Sequence, residues 1–142
     1  MVAQSTRPTV LVVETDAMTR EILAQLLHVA GYEVLTADTG ERALLTLREP
    51  GQRIDWLYTD VALPGLVDGW ILAEEYHHQH PLRPIIYSST RAADLSRRFA
   101  DSVFVPQPAA PMDVVMTFER LSDETDADSL SRSVPLRAAA AH

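Results

Sequence analysis

The chain has no cysteine and no lysine. Without cysteine there are no disulfides and no thiol chemistry, which fits a reducing, cytoplasmic setting. Without lysine, all 12 basic residues are arginine, and any mechanism that needs an ammonium side chain is closed. Long apolar runs are also missing. None approaches the roughly 18 residues of a membrane span, so no membrane partner is expected. Met1 to Pro8 lacks the basic-then-apolar layout of a secretory leader. A net charge of −8 argues against partners bound through nucleic-acid phosphates.

What is present is ordinary for a globular domain. The chain has 142 residues, 46% of them hydrophobic, enough for one domain with its own core. Short β-branched or aromatic runs alternate with stretches of helical period. Residues 9–13 (TVLVV) form a continuous apolar run, as a strand buried on both faces requires. A helix is expected over residues 17–30, with Asp16 as N-cap, Gly31 at C′, and Met18, Ile22, Leu26 and Val29 at helical spacing. Strands are then expected at 32–37, 54–60, 84–89 and 102–105. Between them fall helices through Ala43, Leu44 and Leu47, through Ile71, Leu72 and Tyr76, over an Arg-rich stretch at 92–100, and over 112–121. From Ser122 the composition turns polar and small, so 122–142 reads as a disordered tail, and 1–8 as an N-terminal extension.

Strict alternation of strand and helix means βαβ units: an α/β, doubly wound, five-stranded parallel sheet with helices on both faces. Right-handed crossovers bring the ends of strands 1, 3, 4 and 5 to one edge. Four positions converge there: Glu14-Thr15, Asp60, Ser89 and Gln107. Open α/β sheets carry their chemistry at that edge. The plain alternative for Asp60 is a strand-terminal turn cap.

The motifs VLVVETD (10–16), YTDVALPG (58–65), DGW (68–70), PIIYSS (84–89) and FVPQP (104–108), in this order and spacing, resemble the receiver domain of two-component response regulators over residues 9–121. The resemblance implies the flavodoxin-like strand order 2-1-3-4-5. It makes Asp60 the phosphoacceptor, Ser89 the switch hydroxyl, Phe104 the aromatic switch and Gln107 the occupant of the lysine position. A Lys-Pro bond that is usually cis in the family falls at Gln107-Pro108. It implies Mg²⁺ held by Glu14, Asp60 and the Ala62 carbonyl, with Thr15 or Asp16 as a further ligand. Asp16 is otherwise the helix cap.

Three departures stand out. The second acid after strand 1 is Thr15, the lysine is Gln107, and the loop after Asp60 is one residue longer than the pattern. The first two should weaken the Mg²⁺ site and the response to phosphate.

The implied function is a single-domain response regulator, not an enzyme beyond weak Mg²⁺-dependent self-phosphorylation and autodephosphorylation. Asp60 would take phosphate from a histidine kinase or phosphotransfer protein. The signal would pass to an unknown target protein through the fourth helix, fifth strand and fifth helix, a face that could also form a homodimer. The alternative is a phosphorylation-independent pseudo-receiver, a protein-binding module. Among other features, His77 and His80 read as a solvated helix end rather than a metal site, and Arg91, Arg97 and Arg98 as a charged face. A dehalogenase-like phosphatase would want a second acid where Ala62 stands.

Overall fold

The first strand, β1 (Thr9–Val13), has every residue buried, and this fixes it inside a sheet covered on both faces. The computed structural model describes residues 7–90 and 102–124. In chain order come α1 (Ala17–Val29), β2 (Glu33–Ala37), α2 (Gly40–Leu47), β3 (Trp56–Asp60), α3 (Gly69–Gln79), β4 (Ile85–Ser89), β5 (Val103–Pro106) and a last helix over 111–124. The sheet is parallel throughout, in the order β2-β1-β3-β4-β5, the flavodoxin-like arrangement. The Arg-rich stretch at 92–100, with Arg91, Arg97 and Arg98, lies outside the described residues, as does 125–142.

The period-two alternation of each strand divides the core. Leu11, Val13, Leu57, Ile85 and Tyr87 face α2 and α3, where Ala43, Leu47, Leu72, Ala73 and Tyr76 meet them. Val10, Val12, Trp56, Tyr58 and Ile86 face α1 and the last helix, meeting Leu23, Leu27, Val114, Val115 and Phe118. Phe118 sits among aromatic rings, with centroids 5.7 Å from both Tyr32 and Trp56 and 6.4 Å from Tyr58.

Two helix faces differ from expectation. In α1 the residues that reach the sheet are Leu23 and Leu27, with Leu26 and Ala30 packed beside them. Met18 and Val29 are exposed, at 73% and 83%, and Ile22 lies mostly outward. Both sets have helical spacing, so the period alone does not choose between them. The sheet beneath makes the choice: Leu23 and Leu27 pack on Val10 and Val12, and at the start of the helix Arg20 donates to the Glu14 carbonyl at 2.9 Å. In α3, Ile71 is exposed and Trp70 takes the core position, its ring 4.8 Å from that of Tyr87. Trp buries more apolar area than Ile.

The caps follow the sequence closely. Asp16 accepts from the Thr19 N–H at 2.8 Å and its hydroxyl at 2.7 Å. Gly31, past the end of α1, has φ +107, a conformation that suits glycine. The last helix runs to residue 124, past the boundary expected at 121, and Ser122 Oγ lies 2.7 Å from the Tyr32 hydroxyl.

Phe118→Ala should lower stability by about 3–5 kcal/mol, the usual loss for an aromatic removed from a packed core. Tyr32→Phe, which removes the hydroxyl that meets Ser122, should lower it by about 1 kcal/mol. Urea denaturation midpoints measure both.

Candidate functional site

The carboxyl ends of β1, β3, β4 and β5 share one edge of the sheet. Asp60 closes β3 and is only 5% exposed. Its register partner on β4 is Ser88, and Ser89 follows opposite Pro106. Glu14, just past β1, is as deeply buried, at 6%, and is tied to the end of β2 by its N–H to the Ala37 carbonyl at 3.1 Å. Gln107, just past β5, donates its backbone N–H to the Ser89 carbonyl at 2.9 Å. Its carboxamide Nε2 donates to Asp60 Oδ1 at 2.8 Å. The Gln107-Pro108 bond is cis.

Two buried carboxylates therefore stand together, and among the described residues no cationic side chain bonds either of them. Burial pushes the Asp60 carboxyl up, to about 8, and the Glu14 carboxyl beside it adds to the rise. The Thr15 N–H and the Gln107 carboxamide pull the other way and do not prevail. Like charges this close cannot both ionise cheaply. Arg20 does not relieve them, because its guanidinium is engaged by the carbonyls of Glu14 and Thr15.

The remaining expected site residues are spread around this pair. Thr15 and Asp16 are exposed, and Asp16 is the cap of α1. Hydrogen bonds from the Thr19 side chain and backbone hold the Asp16 carboxyl below its usual value. Asp16 N–H in turn donates to Glu14 Oε2 at 3.0 Å. Ala62 is exposed in the loop after β3, Ser89 is buried, and Phe104 is half-buried against the α2/α3 side of the core. Among the described residues no three acidic or imidazole side chains converge as a metal cluster.

Three residues of this site were not expected. Gly69 opens α3 with its N–H on the Val61 carbonyl at 2.9 Å, and a Cβ there would collide with the Asp60 carbonyl. Gly40 opens α2 so close to the same loop that a Cβ would strike the Val67 carbonyl. Glu41 reaches across and accepts the Leu66 N–H at 2.9 Å. Together they pin the lengthened loop, where Gly65 adopts φ +87. The Asp68-Gly69 pair hinted at the helix start, but no spacing along the chain connects Glu41 to Leu66.

A model of the response regulator receiver domain matches residues 10–101. The chain belongs to this family. A response regulator receiver protein from Sinorhizobium medicae matches in structure with a TM-score of 0.74 at 26% identity, covering 82% of this chain and 94% of that one. The chemotaxis response regulator CheY4 of Vibrio cholerae gives 0.69 at 25% identity, covering 81% and 98%. Sensor kinase CckA of Brucella abortus is 31% identical over 122 residues, 83% of this chain and 13% of that protein. The chain spans about half or less of the length of the curated relatives it matches.

Receiver domains are signalling modules, generally not enzymes. They work with histidine kinases or phosphotransfer proteins and typically bind Mg²⁺ at the acidic site. The residues of this receiver fit such an ion. Mg²⁺ takes oxygen ligands, keeps several waters, and is commonly held by one or two carboxylates. Glu14 and Asp60 supply two, both buried.

The raised Asp60 carboxyl makes stability depend on pH. The folded protein holds a proton that the unfolded chain has released, so metal-free stability falls as pH rises from about 4 to about 8. Asp60→Asn should flatten this slope and raise the melting temperature at pH 8 by several degrees, with little gain at pH 4. A thermal scan against pH measures it, and an unchanged slope would mean the pair is not strained. Gly69→Ala should destabilise the fold by about 1–3 kcal/mol, because backbone rather than a pliable side chain must yield.

Proposed function

We propose that this receiver accepts a phosphoryl group on Asp60 and signals by contact with another protein. The observation that carries this reading is the Asp60 carboxylate at the end of β3, bonded by Gln107 Nε2 at 2.8 Å and paired with buried Glu14. In the transfer, an Asp60 oxygen attacks phosphorus, the P–N bond to the donor imidazole breaks, and the imidazole leaves. Because the phosphoryl group carries its own negative charge, catalysis is mostly positioning and charge neutralisation. Glu14, Asp60 and the Ala62 carbonyl would hold Mg²⁺, which supplies that neutralisation when bound. Thr15 brings no charge to the set, so the ion is held less tightly than by a full acidic pair.

Gln107 then offers the phosphoryl oxygens the hydrogen bond it now gives Asp60. A neutral donor is about half as strong as a charge-assisted one. The difference, on the order of 1 kcal/mol, is worth several-fold in a two-state population. Ser89 bonds another phosphoryl oxygen and draws its loop inward, and Phe104 follows. The donor would be a histidine kinase or phosphotransfer protein. The face around β5 would meet the target or a second copy of the chain. The absence of cysteine supports action in the cytoplasm.

The test is intact-mass spectrometry after treatment with acetyl phosphate and Mg²⁺, wild type beside Asp60→Asn. Wild type should gain one phosphoryl group slowly, and the variant none. Gln107→Lys should enlarge the beryllofluoride-induced NMR shifts of the Ser89 and Phe104 amides. Wild type left unmodified at saturating Mg²⁺, with no beryllofluoride shifts in either protein, would overturn this reading in favour of a phosphate-independent binding module.

A further inference from the structure

The loop after β3, residues 61–68, is held at its base and along its inner side. Val61 donates its N–H to the Ser88 carbonyl and accepts from the Gly69 N–H, both at 2.9 Å. Leu63 and Val67 pack against the core. At the tip the Leu66 side chain is 90% exposed, so burial does not fix it. It is fixed through its backbone instead. Its N–H donates to Glu41 Oε2 at 2.9 Å, across 25 residues of sequence. Hydrogen bonds from the Leu66, Glu41 and Val67 N–H groups hold the Glu41 carboxyl below the usual carboxylate range. Gly65 lets the carboxylate come this close, since a Cβ there would fall on it.

Glu41 lies in the first turn of α2, and that turn is itself tied to the acidic pair. Thr39 caps the helix by accepting the Arg42 N–H at 3.1 Å. Just before it, the Ala37 carbonyl takes the Glu14 N–H at 3.1 Å. A circuit of chain and hydrogen bonds therefore surrounds the site. It runs from Glu14 to the end of β2, through the start of α2, across Glu41 to Leu66, and back through Ala62 to Asp60. The start of α2 meets the loop in two places: Gly40 packs on the Val67 carbonyl, and the Glu41 carboxylate takes the Leu66 N–H. Only the second is directional.

We propose that Glu41 is a positioning residue for the cation site. It fixes the loop that carries the Ala62 carbonyl relative to the strand end that carries Glu14. The inference rests on the reading of Glu14, Asp60 and the Ala62 carbonyl as the Mg²⁺ ligands. Oxygens on separate segments bind an ion best when they do not have to be gathered first, because ordering a loop at each binding event lowers affinity. Glu41 itself touches neither the ion nor the phosphoryl group. Its loss therefore acts on affinity for the ion, not on transfer once the ion is bound.

The measurement is a Mg²⁺ titration of the full chain followed by amide NMR. Rates of modification by acetyl phosphate at low and at saturating Mg²⁺ accompany it. Glu41→Ala should raise the Mg²⁺ Kd about five-fold, the worth of one hydrogen bond. It should also lower the heteronuclear NOEs of residues 62–66 in the metal-free protein. The rate at saturating Mg²⁺ should stay within about two-fold of wild type, since the transfer step is untouched. Glu41→Gln keeps an acceptor oxygen at the same reach and should recover most of the affinity. Arg48→Ala breaks the bond from the end of α2 to Glu75 on α3, at 3.0 Å, and tests for a general loosening of α2. It should leave the Mg²⁺ Kd unchanged. An unchanged Kd or unchanged NOEs in Glu41→Ala, an equal rise in Arg48→Ala, or slow transfer at saturating Mg²⁺ would each overturn the role of Glu41 and leave the Mg²⁺ site standing. A wild type that binds no Mg²⁺ would remove the site, and this role with it.

Discussion

Two carboxylates buried side by side at the edge of a parallel sheet set the terms for this molecule. Among the described residues neither Asp60 nor Glu14 has a cationic side chain to offset it, so burial and mutual repulsion favour a proton on Asp60 that an exposed acid would have lost. Such an arrangement is unfavourable on its own, and the surroundings must enforce it. β1 and β3 are central strands with every residue buried, so the two acids cannot move apart without breaking the core. The loop after Asp60 is held from three directions, by Gly69 against the Asp60 backbone, by Gly40 against Val67, and by Glu41 on Leu66. Titratable groups perturbed by burial and a like-charged neighbour cluster at functional sites.

The fold was legible because each strand carries its own evidence. TVLVV and the WLY of WLYTD are apolar on both faces, as interior strands of a parallel sheet require, and both strands are buried throughout. Asp16, Gly31 and Asp68 are short-range signals, and each falls at the helix end it marks. The face of α1 was not legible for a physical reason. A helix with two apolar stripes can bury either, and the sheet beneath decides which. Leu23 and Leu27 meet Val10 and Val12, and Met18 and Val29 remain outside.

The edge residues were legible as a set, because topology alone brings four strand ends together. What topology does not reveal is how they touch. That Gln107 donates to Asp60, and that Glu41 holds the neighbouring loop, depends on side chains 47 and 25 residues from their partners in sequence. No local pattern encodes such contacts. The turning of the Ser88 hydroxyl toward Tyr58 was equally invisible, since adjacent serines at a strand end look alike until the pleat turns one to each face.

The two substitutions in the acidic site belong together. A receiver of the ordinary pattern has a third acid after β1 and an ammonium after β5, and here Thr15 and Gln107 replace both. One negative and one positive charge are lost, so the net charge around Asp60 is that of the ordinary site. A divalent cation therefore meets a similar overall field, but from two carboxylates instead of three. Restoring only the acid would add repulsion to a pair already reluctant to ionise. Restoring only the ammonium would offset Asp60 and compete with the metal for it. Glutamine avoids both problems: it bonds Asp60 in either protonation state without adding charge. A neutral donor also makes a weaker bond to an anionic oxygen than an ammonium would. The balance of formal charge is kept, and a chain without lysine has no other cation of that kind to put in its place.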